Sequence, residues 1–304
     1  CVCVGVFFFS PPPPPPPPQH PPPPLPIHPT LVARMKVGFV GFGTIAQAIA
    51  VGLGTTSSPD VNVEHFHVSQ RSASKSASLL SQFGASRVTV AAEDNQPILD
   101  SSDLIFLCVL PEQMESVLSN LTFDPDRHTL VSLVSTSKLD QLVSLTSLPA
   151  SRVHKMICLP SVATHDGTCL LVPPSPFLNT VLESLGGCVQ CATEDIMTKL
   201  MIPACLMGPY YAILKNNRDW LVKMGVPVED ASYFVGRTYL GIAKDAEAKC
   251  RDPKGFDDLI EEQTPGGINE QSIKNLDKLN VFGAYDKAMD GILERLQGKG
   301  SGDV

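Results

Sequence analysis

The sequence predicts an α/β fold with a doubly wound parallel sheet, followed by an all-helical C-terminal domain. Three observations support this prediction. Short apolar runs alternate with helical stretches as far as about residue 192, which is typical of a parallel sheet covered by helices. A glycine-rich turn lies between the first apolar run and the first helical stretch. From about residue 193 onward, apolar residues follow helical periodicity over long stretches.

The glycine-rich turn follows a strand predicted at residues 36–40. Gly41 allows the backbone angles of a tight turn, Gly43 lets the main chain approach a pyrophosphate, and Ala46 lets the helix lie close to the strand. The N-terminus of that helix, predicted at residues 44–53, then faces the phosphate charge. The sequence therefore predicts a Rossmann-type dinucleotide site. Its expected contacts are Gly41, Phe42, Gly43, Thr44 and Ile45.

The end of the second strand, predicted at residues 63–68, distinguishes between the two nicotinamide dinucleotides. An NAD site carries a carboxylate near this point, where it binds the ribose 2′-hydroxyl. Here the strand is followed by Ser69, Gln70, Arg71 and Ser72. A guanidinium between two hydroxyls is suited to a 2′-phosphate, so Ser69, Arg71 and Ser72 favour NADP(H) over NAD(H). The alternative is that Arg71 only lies on a solvated loop.

Five further strands are predicted from apolar runs, at residues 104–110, 129–135, 152–158, 168–172 and 187–191. The intervening helices are predicted at residues 72–83, 111–118, 138–145 and 176–185. Ligands of such sheets bind beyond the carboxyl ends of the strands. We therefore expect Val109, Leu110 and Pro111 to contact the cofactor, and residues 135–137 and 159–161 to face it.

Composition divides the chain into four parts. Residues 1–34 include half of the chain's 28 prolines and are predicted to be a disordered tail or gene-model extension, the alternative being a ligand for an SH3 or WW module. The other parts are an NADP-binding domain (residues 35–192), a helical substrate and dimerisation domain (193–298) and a disordered end (299–304).

Long helices are expected at residues 196–224, 228–249 and 281–296. Their apolar surface indicates a homodimer or higher homo-oligomer.

Charge and cysteine content exclude several classes of protein. The net charge of -8 argues against nucleic acid or an anionic membrane as a partner. No segment is expected to be long and apolar enough to cross a bilayer. Nine cysteines, mostly in apolar runs, indicate a reducing compartment, so we expect a cytoplasmic location. Cys188 and Cys191 have no second pair to complete a zinc site, and no metal is predicted.

Four motifs occur in order between Met35 and about Gln297. They are Val37 to Ile49 around the glycine turn, Asp103 to Pro111, Met207-Gly208-Pro209-Tyr210-Tyr211, and Thr264-Pro265-Gly266-Gly267-Ile268-Asn269. Together they resemble the pyrroline-5-carboxylate reductase family, which reduces a cyclic imine to proline. The second motif is similar to that family's strand ending Ala-Val-Lys-Pro, the third to its Ser-Gly-Pro-Ala-Tyr helix start, and the fourth to its Ser-Pro-Gly-Gly-x-Thr substrate loop.

The resemblance implies NADPH-dependent reduction of a cyclic imino acid, most simply 1-pyrroline-5-carboxylate to L-proline. Gly266, Gly267 and Ile268 would present backbone amides to the substrate carboxylate. Asn269 is a further substrate contact, and Asn269 and Thr264 are the candidate catalytic residues. The family has a threonine at the position of Asn269. An amide is a poor proton source, so a protonated iminium or a water would have to supply the proton.

Two departures from the family pattern leave alternatives open. Leu110 stands where the family has lysine, and residues 157–161 lack the family's asparagine. One alternative is therefore an NADPH-binding relative that has lost catalysis. The other is a β-hydroxyacid dehydrogenase, suggested by Lys215-Asn216-Asn217. Against it, Lys215 and Asn216 point to different sides of a helix, and Asp219 is positioned to pair with Lys215.

Overall fold

A computed structural model describes residues 33–70, 72–92 and 94–300. The interpretations of the proline-rich segment, of Arg71 and of residues 301–304 lie outside the described residues. The predicted extent of the tail is wrong at its C-terminal end. Ala33 and Arg34 belong to the first strand, because they pair with Val61 and Asn62 of the second.

The described residues form one sheet with eight strands in the order β3-β2-β1-β4-β5-β6-β7-β8. The strands are β1 (Ala33–Val40), β2 (Val61–Ser69), β3 (Val88–Ala91), β4 (Leu104–Leu107), β5 (Thr129–Ser132), β6 (Val153–Ile157), β7 (Cys169–Val172) and β8 (Cys188–Gln190). The order reverses between β1 and β4, so the carboxyl ends of these two strands flank the crevice in which doubly wound sheets bind ligands. The predicted fold class is confirmed.

Six helices connect the strands. They are α1 (Thr44–Thr55), α2 (Ala73–Phe83), α3 (Gln96–Asp100), α4 (Pro111–Leu118), α5 (Leu139–Thr146) and α6 (Pro176–Glu183). The predicted elements do not include β3 or α3, which are only four and five residues long. Runs of that length carry too few turns of periodicity to be recognised.

One strand departs from the predicted parallel arrangement. β7 runs antiparallel to β6, with Met156 opposite Leu171. The link between them contains a single 3-10 turn, Pro160–Thr164. A parallel crossover requires about a dozen residues or more and usually a full helix. This short link therefore returns the chain in the opposite direction.

The core lies on both faces of the sheet. On one face, Phe39 of β1 stacks on Phe106 of β4 with ring centroids 5.1 Å apart. On the other face, Val40 and Ile105 pack against Leu118 of α4. The central strands are apolar at nearly every position because both faces are covered. This packing fixes the strand ends that carry the candidate site.

The remaining helices follow β8. They are α7 (Glu194–Ala204), α8 (Met207–Lys223), α9 (Val228–Lys249), α10 (Gly255–Glu261), α11 (Ile268–Lys278) and α12 (Val281–Leu296). The predicted single helix at residues 196–224 is wrong, because the chain leaves the helix after Ala204 and re-enters it at Met207. Pro203 lies in the last turn of α7, where its ring opposes the carbonyl one turn earlier and weakens helix continuation.

We expected no segment long and apolar enough to cross a bilayer. Judged by length and composition alone, this expectation is also wrong. Glu194–Lys223, which contains α7, the break after it and α8, spans 30 residues and is apolar enough, with 11% of its most apolar window buried. One such segment is weak evidence for a membrane. An apolar helix that packs against a second copy of the chain has the same composition.

Candidate dinucleotide and substrate site

The glycine turn joins the ends of three strands. Gly41 has φ +84, and a Cβ built on it would lie 2.5 Å from the carbonyl oxygen of Cys108, just after β4. Its amide donates a hydrogen bond of 3.1 Å to the buried hydroxyl of Ser69, at the end of β2. Both the left-handed backbone and the contact with β4 therefore require glycine here.

Gly43 has a different role from Gly41. It is the N-cap residue of α1, and a Cβ built on it would meet nothing within 4 Å. The space beside it is thus open, as the approach of a pyrophosphate to the main chain requires. The helix begins at the exposed Thr44, and its first-turn amides point away from the helix toward that space.

Two clefts lie on either side of this turn. The first has a volume of about 480 Å³ and is lined by the ends of β1, β2 and β3. The second has a volume of about 310 Å³ and is lined by the start of α1 and the ends of β4, β5 and β6. Val109 lines both of them. A pair of clefts joined at a glycine turn matches the two halves of a dinucleotide.

The first cleft contains part of the predicted 2′-phosphate set. Ser69 lines it, and its hydroxyl can still donate one hydrogen bond while it accepts the one from Gly41. Ser72 is half-buried at the N-cap of α2, where its carbonyl accepts from the amides of Lys75 and Ser76. Arg71 is outside the described residues, so the choice of NADP(H) by these side chains stays a prediction.

Several residues of the first cleft are not among the predicted site residues. They are Gln70, Ala73, Ala91, Ala92, Asp94, Asn95 and Val117. Ala91 is the last residue of β3, and Ala92, Asp94 and Asn95 follow it. The rule that ligands bind beyond strand ends would have indicated them if the short strand β3 had been recognised.

Beyond β4, the three expected cofactor contacts differ in position. Val109 lines both clefts, as described above. Leu110 is 53% exposed at the N-cap of α4, and Pro111 is the first residue of that helix. Neither of these two is among the residues lining the clefts. Contact of all three with a cofactor stays a prediction.

The second cleft is lined mainly by apolar groups and by the thiols of Cys108 and Cys158. Burial raises the pKa of Cys108 well above the usual range for a thiol. The side chain of Cys158 is hydrogen-bonded to Cys169, and this bond together with burial raises the pKa of Cys169 well above that range too. Cys108 and Cys169 are therefore protonated at neutral pH. An uncharged, largely apolar cleft is suited to a nicotinamide ring, because hydride transfer requires orientation more than a charged partner.

The predicted substrate loop, residues 264–269, leads from α10 into α11 and includes the first two residues of α11. Gly266 has φ +74, and its amide donates a hydrogen bond of 2.6 Å to the carboxylate of Glu270. The amide of Gly267 donates to the carbonyl of Thr264 at 2.9 Å. The side-chain amide of Asn269 donates to Oε1 of Gln263 at 2.8 Å. The loop is thus an ordered turn at the start of a helix, and Ile268 is the first helical residue.

The loop and the clefts involve separate parts of one chain. All the residues that line the two clefts fall between Gly41 and Cys158. Thr264, Gly266, Gly267, Ile268 and Asn269 line neither cleft within the described part of a single chain. Six of the predicted cofactor contacts line the clefts around the glycine turn: Gly41, Gly43, Thr44, Ile45, Ser69 and Val109. The predicted substrate contacts form a separate group.

Comparison with known proteins gives independent information on both regions. Residues 36–136 match a family model described as NADP oxidoreductase coenzyme F420-dependent. Residues 194–298 match one described as pyrroline-5-carboxylate reductase dimerisation. The first match covers the glycine turn and most of both clefts, and the second begins at the first residue of α7.

Curated relatives and solved structures extend over most of the chain. A pyrroline-5-carboxylate reductase from Escherichia coli (strain K12) is 26% identical over 267 residues, which is 86% of this chain and 96% of that protein. One from Methanosarcina acetivorans is 24% identical over 271 residues, with the same shares covered. The crystal structure of the Streptococcus pyogenes 1-pyrroline-5-carboxylate reductase superposes with a TM-score of 0.68 at 21% identity, covering 87% of this chain and 99% of that one. These findings confirm the predicted resemblance and fold.

The two family models occur in the order that the resemblance predicts, and the curated relatives match across both of them. On these grounds the chain is similar to the pyrroline-5-carboxylate reductase family across both regions.

Proposed function

We propose that this protein reduces 1-pyrroline-5-carboxylate to L-proline with NADPH. The observation that carries the proposal is the presence, in one chain, of a two-part dinucleotide cleft and of the loop at residues 264–269 within a region matching the dimerisation model. The curated relatives that match over 86% of the chain are named for this activity. The enzyme would act as an NADP-dependent oxidoreductase on a CH–NH group.

The residues around the turn fit a dinucleotide. The open space at Gly43 and the first-turn amides of α1 would hold the pyrophosphate. Ser69, Arg71 and Ser72 would hold the 2′-phosphate, while Cys108 and Cys158 would form walls beside the nicotinamide. When bound, NADPH supplies the hydride that reaches the imine carbon. The chain itself supplies orientation and excludes water from that carbon.

The substrate loop would position the imine. We assign its carboxylate to the amides of Gly266, Gly267 and Ile268, where helix α11 begins. Asn269 would donate a hydrogen bond to the imine nitrogen, and Thr264 is the second candidate for such a contact. Because neither an amide nor a hydroxyl is a strong acid, the imine would be reduced as its iminium, already protonated on nitrogen, or a water would deliver the proton to the nitrogen.

A second copy of the chain would complete the site. Because the loop lines neither cleft of its own chain, we propose that the loop of one protomer approaches the cleft of another. Trp220, Tyr233 and Phe234 of α8 and α9 are 59%, 73% and 64% exposed in the single chain. These large apolar side chains would be buried in a homodimer or higher homo-oligomer. We accordingly assign residues 35–192 to cofactor binding and 193–298 to substrate binding and assembly.

The cellular setting proposed for this activity is the cytoplasm. The seven described cysteines are free thiols, which is consistent with a reducing compartment. The net charge of -8 disfavours binding to nucleic acid or to an anionic membrane surface. The proposed ligands are thus a dinucleotide, a small cyclic imine and further copies of the chain.

Oxidation of NADPH on addition of racemic pyrroline-5-carboxylate tests the proposal, followed by the absorbance of the reduced nicotinamide. We expect turnover by the wild type and loss of turnover, with NADPH binding retained, in Asn269→Ala. If the protein binds NADPH but does not oxidise it when any of the cyclic imines is added, it is instead the inactive relative. Nothing favours the β-hydroxyacid dehydrogenase alternative, since Nζ of Lys215 lies 2.5 Å from Oδ2 of Asp219.

A further inference from the structure

The substrate loop already holds a carboxylate from its own chain. Oε2 of Glu270 lies 2.6 Å from the amide nitrogen of Gly266, and Oε1 lies 2.5 Å from Nζ of Lys274. Gly266 is the first of the residues assigned to the substrate carboxylate. An internal anion therefore occupies a backbone donor that the proposed substrate would use.

Resting on the proposed function, we propose that Glu270 is a specificity-determining residue whose carboxylate competes with the substrate carboxylate for the amide of Gly266. A backbone N–H normally donates one strong hydrogen bond. The substrate can engage Gly266 only after Glu270 has moved away. Glu270 is half-buried at the third position of α11, and a rotation of its side chain is enough to vacate the amide.

The charge of Glu270 supports this competition. The hydrogen bond to Lys274 and, after it, the one from Gly266 lower the pKa of Glu270. The side chain is therefore an anion at neutral pH and accepts a charge-assisted hydrogen bond. When the substrate displaces it, two carboxylates come close together at the same helix start, and their repulsion adds to the cost of displacement.

The contact between Glu270 and Gly266 is a form of helix capping, and it still occupies the amide assigned to the substrate. A glutamate at the third helical position often bonds back to an amide near the N-cap. Here the amide reached belongs to Gly266, one residue before the N-cap Gly267. The same bond that stabilises the start of α11 thus occupies the assigned substrate donor. Stability of the loop and affinity for an anionic substrate are opposed at this residue.

Removing the carboxylate frees both of its partners. In Glu270→Ala, the amide of Gly266 becomes available, and the ammonium of Lys274, one helical turn from position 270, is left without its partner. Both changes favour a substrate that carries a carboxylate. We expect KM for pyrroline-5-carboxylate to fall about 3- to 10-fold with little change in kcat, as for one partly exposed charge-assisted hydrogen bond.

The experiment compares two cyclic imines that differ only in the carboxylate. Steady-state KM and kcat are measured for pyrroline-5-carboxylate and for 1-pyrroline in the wild type, Glu270→Ala and Glu270→Gln. The KM for 1-pyrroline should be unchanged. Glu270→Gln should fall between the other two, because the amide retains an oxygen acceptor but has lost its charge. Glu261→Ala is the matched control, since it removes an exposed carboxylate from α10 and alters the net charge equally.

A binding measurement separates this inference from the proposed function. Calorimetry with cyclopentanecarboxylate on the NADPH-loaded protein reports carboxylate binding without turnover. If no imine is reduced but this probe binds more tightly to Glu270→Ala, the inference holds and the activity does not. An unchanged or raised KM for pyrroline-5-carboxylate in Glu270→Ala, with circular dichroism unaltered, would overturn the inference and leave the activity standing. An equal effect of Glu261→Ala would overturn it too, because the cause would then be net charge.

Discussion

The ammonium of Lys155 lies 2.7 Å from Oε1 of Glu194, and this ion pair joins the sheet to the first helix after it. Lys155 is buried in β6 and also donates to the carbonyl oxygens of Ser135 and Ser137, in the loop after β5. The other carboxylate oxygen of Glu194 accepts from the amide of Leu139 at 3.4 Å. One buried cation thus links three elements near the carboxyl edge of the sheet.

Substitution of this lysine should destabilise the protein strongly. Lys155→Met fills similar space but removes the ammonium from Oε1 of Glu194 and from two carbonyls. Since Glu194 is partly exposed and water can replace the ammonium there, we expect a loss of about 2 to 3 kcal/mol, below the range for fully buried pairs. Denaturant unfolding at fixed protein concentration measures it.

The same helix offers a control. Lys199 and Asp195 form an ion pair of 2.6 Å with both side chains mostly exposed. Lys199→Met should cost less than about 1 kcal/mol because solvent screens such pairs. Equal losses for Lys155→Met and Lys199→Met would contradict the role given to burial.

Two glycine substitutions should separate folding from cofactor binding. In Gly41→Val, the side chain meets the Cys108 carbonyl at 2.5 Å and adopts a strained φ, so we expect lower stability and no NADPH binding. In Gly43→Val, the new side chain points into open space, so the melting temperature should change little while NADPH binding is lost. Thermal unfolding and NADPH fluorescence titration check the pair. Retained NADPH affinity in Gly43→Val would rule out the pyrophosphate position.

The cofactor preference depends on Arg71. Arg71→Ala should weaken the binding of NADPH by about 10- to 100-fold, which is what a charge-assisted contact to phosphate contributes. It should weaken the binding of NADH far less. Dissociation constants for both dinucleotides, determined by the same fluorescence titration, provide the measurement. Equal losses for NADPH and NADH would refute the assignment of Arg71 to the 2′-phosphate.

His67 should make the protein sensitive to mild acid. Burial, the neighbouring His65 at a ring-centroid distance of 4.5 Å and the charge of Lys36 lower the pKa of His67 to about 4. The folded state therefore resists a proton that the unfolded chain accepts below about pH 6.5. Stability should fall as the pH drops from about 6.5 toward 4, with no contribution from His67 at pH 7.

The substitution His67→Gln tests this dependence. The variant should lose less stability than the wild type between pH 6.5 and 4, because one fewer proton is taken up on unfolding. Urea unfolding at several pH values gives the two curves. Parallel curves over that interval would show that His67 does not titrate as its surroundings imply.

Local sequence features were sufficient for much of this protein. The strand, glycine turn and helix around Gly41 are contiguous. The apolar periodicity of the strand and helix, and the two glycines of the turn, are visible in the sequence itself. The break before Met207 had a local signal in Pro203, and the contact of Glu270 with Gly266 spans only four residues. These were open to prediction because neighbours along the chain decide them.

The tertiary structure decided what depends on distant partners. The hydrogen bond from Gly41 to Ser69 spans 28 residues, and the bond from Lys155 to Glu194 spans 39. Whether β7 runs parallel or antiparallel, and which side chains line each cleft, follow from the packing of strands that are remote in sequence. Periodicity reports which face of an element is buried, whereas the partner that buries it is determined only when the whole sheet assembles.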